Sequence, residues 1–102
     1  MTRMRSEPHV YVVAYDISDD RRLRAVYRTM RGYGDRVQYS VFLCQLTQLQ
    51  RAHLEATLDR VIHHTDDQVL FIPLGRAGAQ TTWRAWTLGR PLEEPESVVR
   101  IV

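Results

Sequence analysis

Asp16 closes an apolar, β-branched run, HVYVVAYD, and leads through a polar turn into an arginine-rich stretch, ISDDRRLRAVYR. A carboxylate at the carboxyl end of a buried strand is held rigidly by the sheet yet opens to solvent, the geometry that a hard-metal ligand needs. Asp19 and Asp20 suit a simpler role, as turn and N-cap residues that accept hydrogen bonds from free helix N–H groups. On these residues alone Asp16 fits either role. Beyond it, Arg21, Arg24, Arg28 and Arg31 fall three, four and three residues apart, which places them on one stripe of a helix. Guanidiniums repel one another at these spacings unless an anion lies among them, so the stripe reads as a phosphate-binding face ahead of a merely solvated one. Other chemistry finds less support. Ser18 and Ser40 have no evident histidine to activate a hydroxyl. His63 and His64 project about 100° apart on a helix and do not share a metal. His9 and His53 read as structural or exposed.

The elements that must position these residues follow from periodicity. His9 to Tyr15 alternates Val10, Val12 and Ala14 on one face with Tyr11, Val13 and Tyr15 on the other, so neither face is polar. One face is expected under the chain's own helices, and the other against a partner subunit or a ligand. A helix starts at Asp19 or Asp20 and runs to about Arg31, with Leu23, Val26, Tyr27 and Met30 on its apolar side. Gly32 and Gly34 stop it. DRVQYSVFLCQL then extends either as one bent strand or as two short strands joined at Tyr39-Ser40. Thr47 caps a second helix to about His63, whose buried set is Leu54, Leu58, Val61 and Ile62. Asp66 and Asp67 turn the chain into a last apolar strand, QVLFIPLG.

Strand, helix, strand pair, helix, strand predicts an α+β class, a ferredoxin-like βαββαβ sandwich with both helices on one face of an antiparallel sheet. At 102 residues the chain makes a single domain, with residues 1–75 as its core and 76–102 as a C-terminal strand and tail. That tail holds two extended candidates, TTWRAWTL and SVVRIV, more than a four-stranded sheet needs. They read as an arm that adds to a sheet edge, that of a partner subunit, with Trp83 and Trp86 filling core or anchoring the contact. The acidic stretch LEEPE suits protein contacts and not nucleic acid.

Composition narrows the class. Apolar residues at 44% and charged residues at 25% are ordinary globular values. No apolar run nears the roughly 18 residues of a spanning helix, and MTRMRSEPH lacks a signal-peptide core, so a cytoplasmic protein without membrane partners is expected. Cys44 is the only cysteine, which excludes an internal disulfide, and it reads as a core thiol. All fourteen basic residues are arginine. Residues 1–51 carry nine Arg against five acids and residues 52–102 five against seven, which places any polyanion-binding face on the N-terminal half. Guanidiniums also suit bidentate phosphate contacts.

With these residues in view, YDISDDRRLRAVYRTMRGYGDRVQYSVFLCQL closely resembles the signature of the CRISPR-associated protein 2 family, through Tyr15-Asp16, Arg22-Leu23, Tyr33-Gly34 and Val37 to Phe42. The likeness continues more loosely through the second helix and VLFIPL. It implies a ferredoxin-like homodimer with facing sheets and a C-terminal strand joined to the partner. It implies a magnesium-dependent endonuclease on single-stranded RNA or double-stranded DNA, and a subunit that works with the CRISPR-associated integrase in spacer acquisition. Asp16 matches the family's catalytic metal ligand. Arg36 and Phe42 match positions tied to nucleic-acid handling, and Tyr15 and Ser40 lie in the motifs as supporting residues. Ala25 departs from a position that is often basic, which touches the detail of phosphate contacts. One carboxylate rarely holds magnesium or manganese by itself. Two Asp16 side chains meeting across a two-fold axis would supply the second and would need a cation or proton between them. An alternative is a non-catalytic RNA- or DNA-binding module of RRM-like fold with Tyr11 and Tyr15 as stacking platforms, although RVQYSVFL lacks that motif's glycines and aromatic order. A third is a dimerising domain with no nucleic-acid role.

Overall fold

A computed structural model describes residues 7–76 and 86–91. The described chain runs β1 (His9–Asp16), α1 (Asp20–Arg31), β2 (Gly34–Gln38), β3 (Val41–Leu46), α2 (Gln48–Val61), β4 (Gln68–Gly75) and β5 (Trp86–Gly89). The sheet order is β2-β3-β1-β4-β5 with every neighbour antiparallel, so two βαβ crossovers interleave around a central β1. This is the ferredoxin-like sandwich that the sequence predicts.

Tyr11, Val13 and Tyr15 of β1 point into one core with Phe42, Cys44 and Leu46 of β3 and Val69 and Phe71 of β4. Val26 and Met30 of α1 and Leu54 and Leu58 of α2 close over them, all fully buried. Both helices therefore cover one face. Alternation leaves Val12, Ala14, Leu43, Leu70 and Ile72 on the other face, in register across three strands and without helical cover among the described residues. Asp19 caps α1 by accepting from the Arg22 N–H at 2.9 Å. Thr47 and Gln50 form a full capping box at the start of α2.

DRVQYSVFLCQL is two strands, not one. Ser40 takes a left-handed φ of 62° and reverses the chain, and its carbonyl accepts from the Tyr15 N–H at 3.1 Å, which ties the turn to β1. Gly34 starts β2 so close to β3 that a Cβ there would strike Cys44 Sγ and the Leu43 carbonyl. Of the tail, Trp86–Gly89 pairs with β4 of its own chain, stacking Trp86 on Phe71 with ring centroids 5.4 Å apart. The expected addition to a partner's sheet is thus not what these four residues do in the single chain, because the β4 edge beside them is free to take them. Trp83 and SVVRIV lie outside the described residues.

Candidate nucleic-acid interface and metal site

β1 delivers Asp16 at the rim of the sheet, where its side chain is 70% exposed. It accepts from Arg90 Nη2 at 2.7 Å. Arg90 is itself located by main chain: its N–H donates to the Asp67 carbonyl at 2.5 Å and its Nη1 to the Asp66 carbonyl at 2.6 Å. Gly89, at φ 90°, makes that approach possible, since a Cβ there would collide with the Asp67 carbonyl. The tail thus returns over the end of β1 and lays a cation on the candidate metal ligand.

Asp67, read from sequence as a turn residue, is fully buried. Its carboxylate accepts from Arg22 Nε at 2.7 Å, from the His63 N–H at 2.8 Å and from the Ser18 N–H at 3.0 Å. Burial pushes its pKa up, but the Arg22 hydrogen bond and the two main-chain donors outweigh burial and hold it well below the usual carboxylate range. This knot joins the loop after β1, α1 and the α2–β4 loop at the end of the sheet where Asp16 sits. Arg22 is accordingly structural, and the four stripe arginines are not.

Arg21, Arg24, Arg28 and Arg31 are all exposed, and none of them, nor Arg36, makes an ion pair among the described residues. Arg24 and Arg36 line a hollow of about 280 Å³ with Tyr15, Leu23, Tyr27, Tyr39 and Ser40. Arg36 lies over two rings, 5.6 Å from the centroid of Tyr27 and 5.9 Å from that of Tyr39. Arg31 lies 5.8 Å over Tyr27 as well. Burial raises the Tyr15 pKa, and Arg36 partly opposes the shift.

The structure therefore brings Arg24, Arg36, Tyr15 and Ser40 to one hollow, with Arg31 beside it and Arg21 and Arg28 farther along the same helix. Asp16 is not part of that hollow, because adjacent strand residues leave on opposite faces and Tyr15 takes the helical side. Phe42 is fully buried between Tyr15 and Tyr27, with centroids at 6.2 and 5.9 Å, so it backs the aromatic wall of the hollow. One sequence expectation needs correction. Tyr11 and Tyr15 are each only 7% exposed beneath the helices and offer no open stacking platform. Tyr27, Tyr39, Asp67 and Arg90 are site residues that sequence does not single out. Their signal is the bare presence of aromatic and charged side chains, and only the fold shows what they meet.

Among the described residues no three His, Cys, Asp or Glu side chains gather into a metal-binding group. Asp16 enters any ion site as one exposed carboxylate. That fits a hard ion which fills its other positions from water, substrate phosphate or a second copy of Asp16, and Arg90 is the cation such an ion must displace.

The class so defined is a small ferredoxin-like α+β protein that sets one exposed strand-end carboxylate at the end of the sheet where an arginine-rich helix begins. Residues 9–82 match the family described as CRISPR associated protein Cas2. The chain is 40% identical over 101 residues to a Rhodospirillum rubrum protein named CRISPR-associated endoribonuclease Cas2 1, covering 99% of this chain and 98% of that one. Among solved structures, a hypothetical protein from Thermus thermophilus is 31% identical, covers 76% of this chain and 95% of its own, and superposes with a TM-score of 0.65. Streptococcus pyogenes Cas2 at pH 6.5 is 31% identical, covers 61% of this chain and 81% of its own, and gives a TM-score of 0.57. The chain belongs to the Cas2 family of CRISPR-associated proteins.

Proposed function

We propose that this protein is a divalent-metal-dependent endonuclease that hydrolyses phosphodiester bonds, with RNA as the first substrate to test and duplex DNA as the second. The observation that carries the reading is the pairing of an exposed Asp16 at the end of β1 with five exposed arginines, on α1 and β2, that make no ion pair among the described residues. The names of the relatives support RNA. In this reading Arg21, Arg24, Arg28, Arg31 and Arg36 bind phosphates, and Asp16 of each subunit of a homodimer shares a magnesium or manganese ion. That ion would polarise a phosphate and lower the pKa of a bound water. The protein would act in spacer acquisition beside the CRISPR-associated integrase, in the cytoplasm. No helix among the described residues is long and apolar enough to cross a membrane.

The experiment is cleavage of labelled RNA and duplex DNA by wild type and Asp16→Asn, with magnesium and with chelator. Asp16→Asn keeps shape and removes charge, so it should remain folded and lose turnover by at least about a hundredfold, the scale of a lost metal ligand or its close support. Equal activity in repurified wild type and variant would move the site elsewhere. A second reading, a nucleic-acid-binding subunit without catalysis, is favoured by the Arg90 guanidinium on Asp16. It predicts nucleic-acid binding with no magnesium-dependent cleavage in either protein.

A further inference from the structure

We propose that the hollow between α1 and the β2–β3 turn seats one unpaired nucleotide, its base against Tyr39 and the Arg36 guanidinium and its phosphate toward Arg24. This rests on the nucleic-acid reading above and narrows it to single-stranded substrates, bound on the helical side of the sheet and not only along an arginine face.

Three observations support this occupant. The hollow measures about 280 Å³, room for a single nucleotide and far too little for a base pair with two backbones. Its charge is of one sign: Arg24 and Arg36 line it, no carboxylate does, and neither guanidinium has an ion pair among the described residues. Its stacking surface is open and preset. Tyr39 is 68% exposed, yet it is fixed by a turn whose Ser40 has a left-handed φ and whose carbonyl is bonded to β1. Arg36 lies over both Tyr27 and Tyr39, so a guanidinium and two rings meet at the hollow, and unpaired bases stack on both kinds of group. The Ser40 hydroxyl makes no hydrogen bond among the described residues and is available to a base edge.

The arginine helix extends the seat into a track. Arg21, Arg24 and Arg28 follow one another by about 4.5 and 6 Å of helical rise, so phosphates flanking the seated nucleotide meet the next guanidinium on either side. A duplex keeps its bases stacked inward and reaches the arginines but not Tyr39. Stacking of this kind tolerates any base, so the selectivity is for strandedness and not for sequence.

The test uses the full-length protein in chelator, a single-stranded RNA carrying 2-aminopurine, and a perfectly paired RNA duplex of equal length. Tyr39→Ala removes an exposed ring and should leave the fold intact. It should weaken single-strand binding roughly tenfold or more, the size of one base–aromatic stack, abolish quenching of the 2-aminopurine, and change duplex binding less than about twofold. Tyr39→Phe should restore single-strand binding and quenching. Arg28→Ala, beyond the hollow, should weaken both forms alike. Unchanged single-strand binding by Tyr39→Ala, or an equal loss on single strand and duplex, would overturn the seat while leaving the nucleic-acid reading standing. Failure of the wild type to bind either form would overturn both.

Discussion

At the scale of single residues, the carboxylates of this chain divide by what the fold places beside them. Asp67 and Asp16 are both ion-paired to arginine, but the first pair is buried on the acid side and the second is open to water. Removing one partner of a buried pair strands the other, at a cost of about 3–5 kcal/mol, and because Arg22 is itself 27% exposed we expect Asp67→Ala to destabilise by about 3 kcal/mol in urea denaturation. The folded pKa of Asp67 lies below its ordinary value of 3.8, so this stability is fully present above about pH 4 and is lost as the pH falls below it. The stability profile of Asp67→Asn should therefore run flatter than wild type below about pH 4. The open pair behaves differently. Exposed ion pairs are worth about 0–1 kcal/mol, so Arg90→Ala should tighten manganese binding at Asp16 by no more than about fivefold, measured calorimetrically. A weaker affinity in this variant would mean that Arg90 helps to build the ion site and does not compete for it. Cys44 stands apart from these charged sites: burial, helped by Asp35, pushes its pKa up to about 11, and it should resist thiol reagents until the protein unfolds.

At the scale of elements, β1, α1, α2 and β4 were legible because each carries a period that burial enforces, and Thr47 announces α2 through its capping box. The hairpin was ambiguous because its turn relies on Ser40 in a left-handed conformation, which asparagine or glycine would have advertised and serine does not. Ser40→Gly should therefore be tolerated and Ser40→Val should destabilise, by about 1 kcal/mol or more. The Arg stripe was legible as a spacing, whereas the hollow it borders was not, since Tyr27, Tyr39 and Arg36 meet only when α1 packs beside the β2–β3 turn. Asp67 was legible as a turn residue but not as a buried one, for the same reason: its burial depends on Arg22, 45 positions earlier. Replacing Arg24 and Arg28 by alanine should flatten the log–log salt dependence of nucleic-acid binding by roughly one unit for each phosphate that the protein no longer neutralises. An unchanged slope would make the stripe a solvated helix face.

At the scale of the whole molecule, the described residues finish the sheet on one side only. Tyr11, Val13 and Tyr15 are covered by helices, while Val12, Ala14, Leu43, Leu70 and Ile72 lie side by side on the bare face and Leu43 is 41% exposed. A continuous apolar patch over three strands is costly to leave in water, and a second copy of the same face is self-complementary about a two-fold axis. The same packing would turn two β1 ends toward a common axis, where two Asp16 carboxylates could share an ion that a lone chain holds poorly. The homodimer and the metal site are therefore coupled expectations. Sedimentation equilibrium at tens of micromolar should give about twice the 12.0 kDa chain mass. Leu43→Arg puts a charge on the bare face, in register with Val12 of the central strand, and should yield a folded monomer with wild-type helical circular dichroism. That monomer should also lose manganese affinity, although Leu43 is not a metal ligand. A Leu43→Arg monomer that binds manganese as tightly as wild type would assign the ion to one chain, and a wild-type protein that stays monomeric would remove the shared site altogether.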